Sequence, residues 1–300
     1  MIFSTNILSD KNRIEKIINK YGYAPEHNYD WYACQSDKGL DLTFAESNDG
    51  AALFTTEEGL QKCSVFSSPI APPSRRVEVI IEYLENIFKL KKVKKVELEL
   101  ETDLHKSLLQ VLPNNFKARR INFTLTWPIY NLTTFDDSLS GGQWKKLRKL
   151  NNKFYRDHSI KILDAKTFED KNSLHNLVDE CKKNRVAKDR AYFESYHKFI
   201  ENNFEGADEA RIFIVDGKVC GINAGWKIIN SNTFYSAIVL HNYSLQGLGE
   251  AIYIDNLIFL KNRGYQHLNI GGGHKEDLVF KNKFHPESFY KTHYFCIIKK

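Results

Sequence analysis

An α+β fold in two lobes, each a mixed and mostly antiparallel sheet flanked by helices, is what this sequence predicts. Three observations carry it. Residues 96–101 and 121–127 alternate strictly between apolar and polar types, the period of half-buried strands. Amphipathic helical patterns at 10–21, 75–90 and 144–156 separate strand-like runs. Finally, Asp216-Gly217 lies between two apolar runs, 211–215 and 218–222, and marks a hairpin with a type I′ turn.

The elements follow in order. Residues 1–125 form the first lobe. It opens with a helix at 10–21, followed by strands near 40–46, 51–55 and 63–66. Pro69, Pro72 and Pro73 make a rigid connector, and Ser74 is placed to cap a helix over 75–90. The strand at 96–101 comes next, with Glu97, Glu99 and Glu101 on one face reading as a solvated edge. Asp103 is placed to cap a short helix that ends at Val111.

Residues 126–300 form the second lobe. A basic helix at 144–156 is followed by a strand at 160–163, helices at 172–183 and 191–203, and the hairpin, whose second strand is extended by 225–229. A strand over 232–240 then leads through a glycine turn into a helix over 250–263. Ala251, Ile254, Leu257 and Ile258 line one face of that helix, and Gly264 is positioned as its C-cap. A short strand over 267–270 runs into Gly271-Gly272-Gly273.

Composition sets limits on function. Three hundred residues with 42% hydrophobic content can bury one large core or two ordinary ones. No run approaches the roughly 18 apolar residues of a membrane span, and no signal-like segment opens the chain, so the expected location is cytoplasmic. Five cysteines without a CxxC pair fit reduced thiols, with neither a zinc site nor a disulfide framework. His274, Glu276 and Asp277 lack metal-ligand spacing, so no metal is expected. A net charge of +6 is too modest to imply nucleic acid by itself. Its placement is more telling: Lys145, Arg148, Lys149, Lys153 and Arg156 line one side of a helix whose other side is Trp144, Leu147, Leu150 and Phe154. A second basic cluster, Lys182, Lys183, Arg185, Lys188 and Arg190, reads as ordinary surface.

The turn before the helix at 250 carries chemistry. Glycines at a helix start leave backbone N–H groups open to an anion, and the helix dipole reinforces them. Gln246-x-x-Gly249-x-Ala251, with Gly247 inside it, has the spacing of an acyl-CoA pyrophosphate loop. The alternative is a plain strand-to-helix turn that needs small residues.

From about Gly142 onward the chain resembles the acyltransferase fold shared by GNAT enzymes, FemAB aminoacyl transferases and the C-terminal domain of phosphatidylglycerol lysyltransferases. The basic helix, the turn at Gln246 and the segment Phe280-Lys281-x-x-Phe284-x-Pro286 carry the resemblance. It implies tandem GNAT-like lobes, with a degenerate copy at 1–125 and the acyltransferase copy at 126–300. It also implies N-acyl transfer from an activated donor to an amine, with backbone N–H groups around Val239 to Asn242 stabilising the oxyanion. Lys281 would lie in the active cleft, and Tyr290 or Tyr253 would serve as proton donor. The donor is an acyl-CoA, favoured by Gln246 to Ala251, or an aminoacyl-tRNA, favoured by Lys281 and by Lys145 and Arg148 on the basic helix. No permanently bound cofactor is expected. A fold of this kind retained as a non-catalytic binding module for a nucleotide or peptide is the alternative reading.

Overall fold

The computed structural model describes residues 1–35, 41–58, 62–66, 68–91, 93–184 and 193–300, apart from the side chains of Asp41 and Glu58. The first lobe comprises β1 (Ile2–Ser4), α1 (Lys11–Tyr21), α2 (Tyr29–Gln35), β2 (Asp41–Glu46), β3 (Ala52–Glu58) and β4 (Lys62–Val65). It continues with α3 (Arg76–Leu90), β5 (Lys95–Glu101), α4 (Thr102–Val111) and β6 (Phe116–Ala118). The second lobe runs β7 (Phe123–Asn131), α5 (Lys145–Asp157), β8 (Ile160–Asp164), α6 (Lys171–Asn184), α7 (Phe193–Glu201), β9 (Glu209–Val215) and β10 (Lys218–Lys227). It ends with β11 (Thr233–His241), α8 (Leu248–Asn262), β12 (His267–Asn269), α9 (Lys275–Lys281) and β13 (Ser288–Lys299).

All the strands join one sheet in the order β1-β2-β3-β4-β5-β13-β7-β12-β11-β10-β9-β8, with β6 also on β13. Two pairs in it are parallel, and each is a strand–helix–strand unit: β4-α3-β5 and β11-α8-β12. Both pairs are brief. Register holds from Lys62↔Lys95 to Ser64↔Glu97 in one and from Thr233↔His267 to Tyr235↔Asn269 in the other. Beyond those points the strands splay apart. The same construction in both lobes is what makes them tandem copies of one α+β plan.

Apolar faces explain the packing. In the first lobe Ile80, Tyr83, Leu84 and Ile87 of α3 pack on Val96, Leu98 and Leu100 of β5. In the second, Ile254, Leu257 and Leu260 of α8 cover Phe234 and Leu268. The lobes are not separable at a linker. Trp31 and Cys34 of α2 are buried with Phe199 and Trp226 of the second lobe. β13, the last strand in sequence, lies between β5 and β7 and pairs antiparallel with both. The expected boundary at residues 125 and 126 falls inside β7.

Local signals are mostly realised. Asp216 and Gly217 both have positive φ, as a type I′ turn requires. Gly264 (φ 85) closes α8, its N–H bonding Lys261 O while that of Tyr265 bonds Leu260 O, a Schellman motif. Differences have local causes. Pro73–Arg75 form a 3₁₀ turn, so α3 starts at Arg76 and Ser74 caps nothing. Glu101, not Asp103, stands at the N-cap of α4. The short α9 and the long β13 follow from no strong sequence period. Leu40, Ser67, Arg185, Lys188, Arg190 and the first residues of the expected helix at 191–203 lie outside the described residues.

Candidate active site

One face of β5 shows the largest departure from expectation. Glu97, Glu99 and Glu101 are not on a solvated edge, because β5 is flanked by β4 and β13 inside the sheet. Glu97 is 6% exposed. Its carboxylate receives Lys62 and Lys95 Nζ, each at 2.9 Å, and the Tyr294 hydroxyl. Burial opposes ionisation there, but these hydrogen bonds outweigh it and hold Glu97 down at about 2. Glu99 accepts from Thr292 Oγ1 at 2.6 Å, and that hydroxyl accepts from Trp127 Nε1 at 2.9 Å. Alternation alone could not tell a central strand from an edge, since the flanking strand β13 comes from the far end of the chain.

Above this face lies a cleft of about 740 Å³, into which both splays open. The first lobe contributes Ser64 on β4 and Phe66 beyond it, and Glu99 and Glu101 on β5. The second contributes Ala237, Val239 and His241 on β11, with Ile270, Gly271 and Gly272 after β12. Glu26 projects from the loop between α1 and α2. That loop bridges the lobes: Trp226 Nε1 donates to Pro25 O at 2.8 Å, and Asn28 Nδ2 to Gly206 O at 2.8 Å. Burial, then the neighbouring Glu99, push Glu26 up to about 7. Burial also raises Glu101, with Arg76 pulling the other way.

Of the residues expected to act, Lys281, Tyr290 and Tyr253 all line this cleft. Lys281 Nζ donates to the carbonyls of Ile270 (3.1 Å), Gly271 (2.7 Å) and Gly272 (3.1 Å). It clasps the glycine loop. Gly271 takes φ 80, and a Cβ on Gly272 would lie 2.7 Å from the Trp127 ring, so both positions need glycine. Tyr290 stacks on Trp127 with centroids 5.5 Å apart, and its hydroxyl accepts from Asn269 Nδ2 at 3.1 Å. Burial, reinforced by Glu26, keeps its phenol protonated far above the usual range. Tyr235 is raised for the same two reasons.

β11 also borders the cleft with its backbone. Its register on β10 skips Ala237, leaving a bulge beside the cleft. Past it, Asn242 N–H bonds Cys220 O at 2.8 Å. Alternation therefore turns the Val239 and His241 amides away from β10, towards the splay.

The glycine turn at α8 is elsewhere. Gln246 is exposed, whereas Gly247, Gly249 and Ala251 are buried, and none of the four lines the cleft. A Cβ on Gly249 would meet His241 Nε2 at 2.9 Å and Phe280 at 3.4 Å. Glu250, 8% exposed, already brings a carboxylate to this helix start, paired with Lys283 at 2.8 Å. Leu248 N–H bonds Leu245 O. On α5, Lys145, Lys149, Lys153 and Arg156 are exposed, while Arg148 donates to the carbonyls of Leu139 and Gly141. Sequence reasoning missed Glu26, Glu99 and Glu101. The one available signal was the β5 face.

Twin strand–helix–strand units opening onto a shared cleft define the tandem GNAT-like class of acyltransferase folds. Residues 19–275 match the profile described as phosphatidylglycerol lysyltransferase, C-terminal, and the chain belongs to that family. No curated protein sequence matches it. Among solved structures it is similar to L-PGS from Bacillus licheniformis (TM-score 0.68, 18% identity, 97% of this chain and 92% of that one). FemX (TM-score 0.61, 11% identity, 97% and 97%) and a tandem GNAT protein from the clavulanic acid pathway (TM-score 0.55, 10% identity, 98% and 97%) share the fold. Family and fold mark the chain as aminoacyl-transferase-like. Among the described residues, no helix is long and apolar enough to cross a membrane.

Proposed function

We propose that the protein transfers an aminoacyl group from an aminoacyl-tRNA to a nucleophilic acceptor inside the interlobe cleft. The observation that carries this reading is the contrast between two places. The cleft is large, aromatic and lined by protonated phenols, whereas the α8 turn that would cradle a CoA pyrophosphate already holds Glu250 and is packed under His241 and Phe280. A pyrophosphate there would face a paired carboxylate. The exposed lysines of α5 offer a phosphate-binding surface for the donor's nucleic-acid part.

The step is an acyl substitution. An amine attacks the ester carbonyl carbon, a C–N bond forms, and the carbonyl oxygen becomes an oxyanion facing the Val239 and His241 amides. The ester C–O bond then breaks. The proton lost by the amine goes to the departing ribose oxygen, and in this reading the Tyr290 hydroxyl relays it. A hydroxyl acceptor, such as phosphatidylglycerol of the family's description, follows the same course with a C–O bond formed instead. Lys281 holds the glycine loop that shapes the wall. A donor of this kind places the reaction in the cytoplasm.

The test is transfer of label from radiolabelled aminoacyl-tRNAs to phosphatidylglycerol vesicles or to an amine-bearing peptide, beside titration with CoA and acetyl-CoA. Label in either acceptor, lost in Tyr290→Phe, supports the proposal. Micromolar CoA binding that disappears in Gly249→Trp, with no transfer from tRNA, would move the protein to the acyl-CoA enzymes. Silence in both assays would favour a binding module.

A further inference from the structure

The end of the first lobe away from the cleft is basic and apolar at once, because several elements finish there. β5 runs parallel to β4, so α3, which joins them, ends beside the start of β5. β13 runs antiparallel to β5, and its last residues pair Ile298 with Lys95 and Lys299 with Phe116. α4 returns to the same end, where Leu112 packs in one cluster with Phe88, Val93 and Phe116. The Phe88 and Phe116 rings meet at 5.5 Å, and Lys300 N–H bonds Asn115 O at 2.9 Å. Glu101, which lines the cleft, stands at the far end of β5 from Lys95, roughly 20 Å along the strand.

The side chains at this pole share a pattern. Residues 89–95 read Lys-Leu-Lys-Lys-Val-Lys-Lys. Lys89, Lys91 and Lys94 are exposed, as are Lys117, Lys299 and Lys300 on the neighbouring strands. Glu57 and Glu97 bring carboxylates here, already paired with Lys91 and with Lys62 and Lys95. Among these cations two aliphatic side chains stand in water at the tips of the helices: Leu90 (63% exposed) ends α3, and Val111 (58%) ends α4.

We propose that this pole docks the protein on an anionic lipid surface. Leu90 and Val111 enter the headgroup layer, and the lysines around them bring their ammonium groups to the lipid phosphates. Each such lysine strengthens binding to an anionic surface by about fivefold. The aromatic rings of the pole, Phe88 and Phe116, are buried, so a nucleic acid would find charge there but no face to stack on. A second copy would bring the same positive charge and be repelled. Docked this way, the protein holds its cleft clear of the bilayer and open to a bulky donor. Docking of this kind requires neither tRNA nor transfer, so it goes beyond the function proposed above and does not depend on it.

Co-sedimentation of the full chain with vesicles tests it. Phosphatidylserine mixed equally with phosphatidylcholine is the probe, which reads docking apart from any use of phosphatidylglycerol as acceptor. The protein is expected to pellet with these vesicles, to stay in solution with phosphatidylcholine alone, and to be released as salt rises. Lys94→Glu with Lys117→Glu should weaken binding by about twentyfold or more, and Leu90→Ser with Val111→Ser by about tenfold. All four positions are exposed, and thermal melts matching the wild type would show that both variants fold. No pelleting with the anionic vesicles, equal pelleting with phosphatidylcholine, or binding unchanged in both variants would each overturn the docking surface. So would binding lost in Lys145→Glu with Lys149→Glu on α5 but kept in both pole variants. Loss of tRNA in filter binding by the lysine variant, with vesicles ignored by the wild type, would assign the pole to nucleic acid instead.

Discussion

Glu26 and His27 are neighbours whose titrations pull stability in opposite directions. Glu26 has a folded value of about 7 against an ordinary 4.5, so the folded protein binds more protons between those values. Its contribution is fully present below pH 4.5 and is lost as pH rises through 7. Glu26→Gln should therefore stabilise the protein at pH 8 by up to about 3 kcal/mol, a gain that vanishes towards pH 4.5. Urea melts across that range check it. His27 is 1% exposed, and burial lowers it from 6.5 to about 4. Its contribution is complete above pH 6.5 and is lost as pH falls towards 4, so Glu26→Gln protein should weaken with acid through that window by up to about 3 kcal/mol. Lys281 belongs to the same scale. Lys281→Met removes three charge-assisted hydrogen bonds from the glycine loop, and transfer activity should drop by about tenfold or more. Hydrogen exchange at residues 271–273 should quicken in parallel. None of these roles is legible in the sequence except that of Lys281, whose neighbours Phe280 and Phe284 give its segment a recognisable pattern.

At the scale of elements, α5 and β5 make an instructive pair. Both present alternating or periodic charge, and charge of that kind is compatible with ordinary solvated surface. The α5 pattern is legible because Leu147 and Phe154 are buried and Lys145, Lys149, Lys153 and Arg156 are exposed, as a 3.6 period requires. Its prediction concerns electrostatics. Lys145→Glu with Lys149→Glu should weaken tRNA binding and reduce the steepness of its salt dependence by about one for each phosphate no longer neutralised, measured by filter binding. The β5 pattern misleads because a period of two specifies which residues share a face and says nothing about what covers that face. β13 makes β5 a central strand and the loop bearing Glu26 borders the cleft above its face, and both come from distant sequence.

For the whole molecule, β13 is decisive. It pairs with β5 of one lobe and β7 of the other, and its inward residues Tyr290, Thr292 and Tyr294 all line the cleft. Two tandem lobes joined this way should unfold as one unit. Calorimetry is expected to show a single transition whose calorimetric and van't Hoff enthalpies agree, and deleting residues 288–300 should abolish folding of both lobes. Two resolved transitions, with the first lobe surviving the deletion, would refute this.

The sequence by itself determined the local plan. Helix and strand periods, the Asp216-Gly217 turn, the Gly264 cap, and the order strand, turn, helix, strand in the second lobe are written in short-range patterns, because neighbouring side chains along a chain fix backbone conformation. Its resemblance to the family pointed to Lys281, Tyr290 and Tyr253, which line the cleft. Tertiary structure alone decided that the two parallel pairs splay into a common cleft, that the α8 turn is filled by Glu250 and roofed by Phe280, and that the glutamates of β5 face inward. Those facts depend on contacts between distant residues, such as Pro25 with Trp226, 201 positions apart, where no local period reaches. The cleft is a product of that meeting, walled by residues of both lobes.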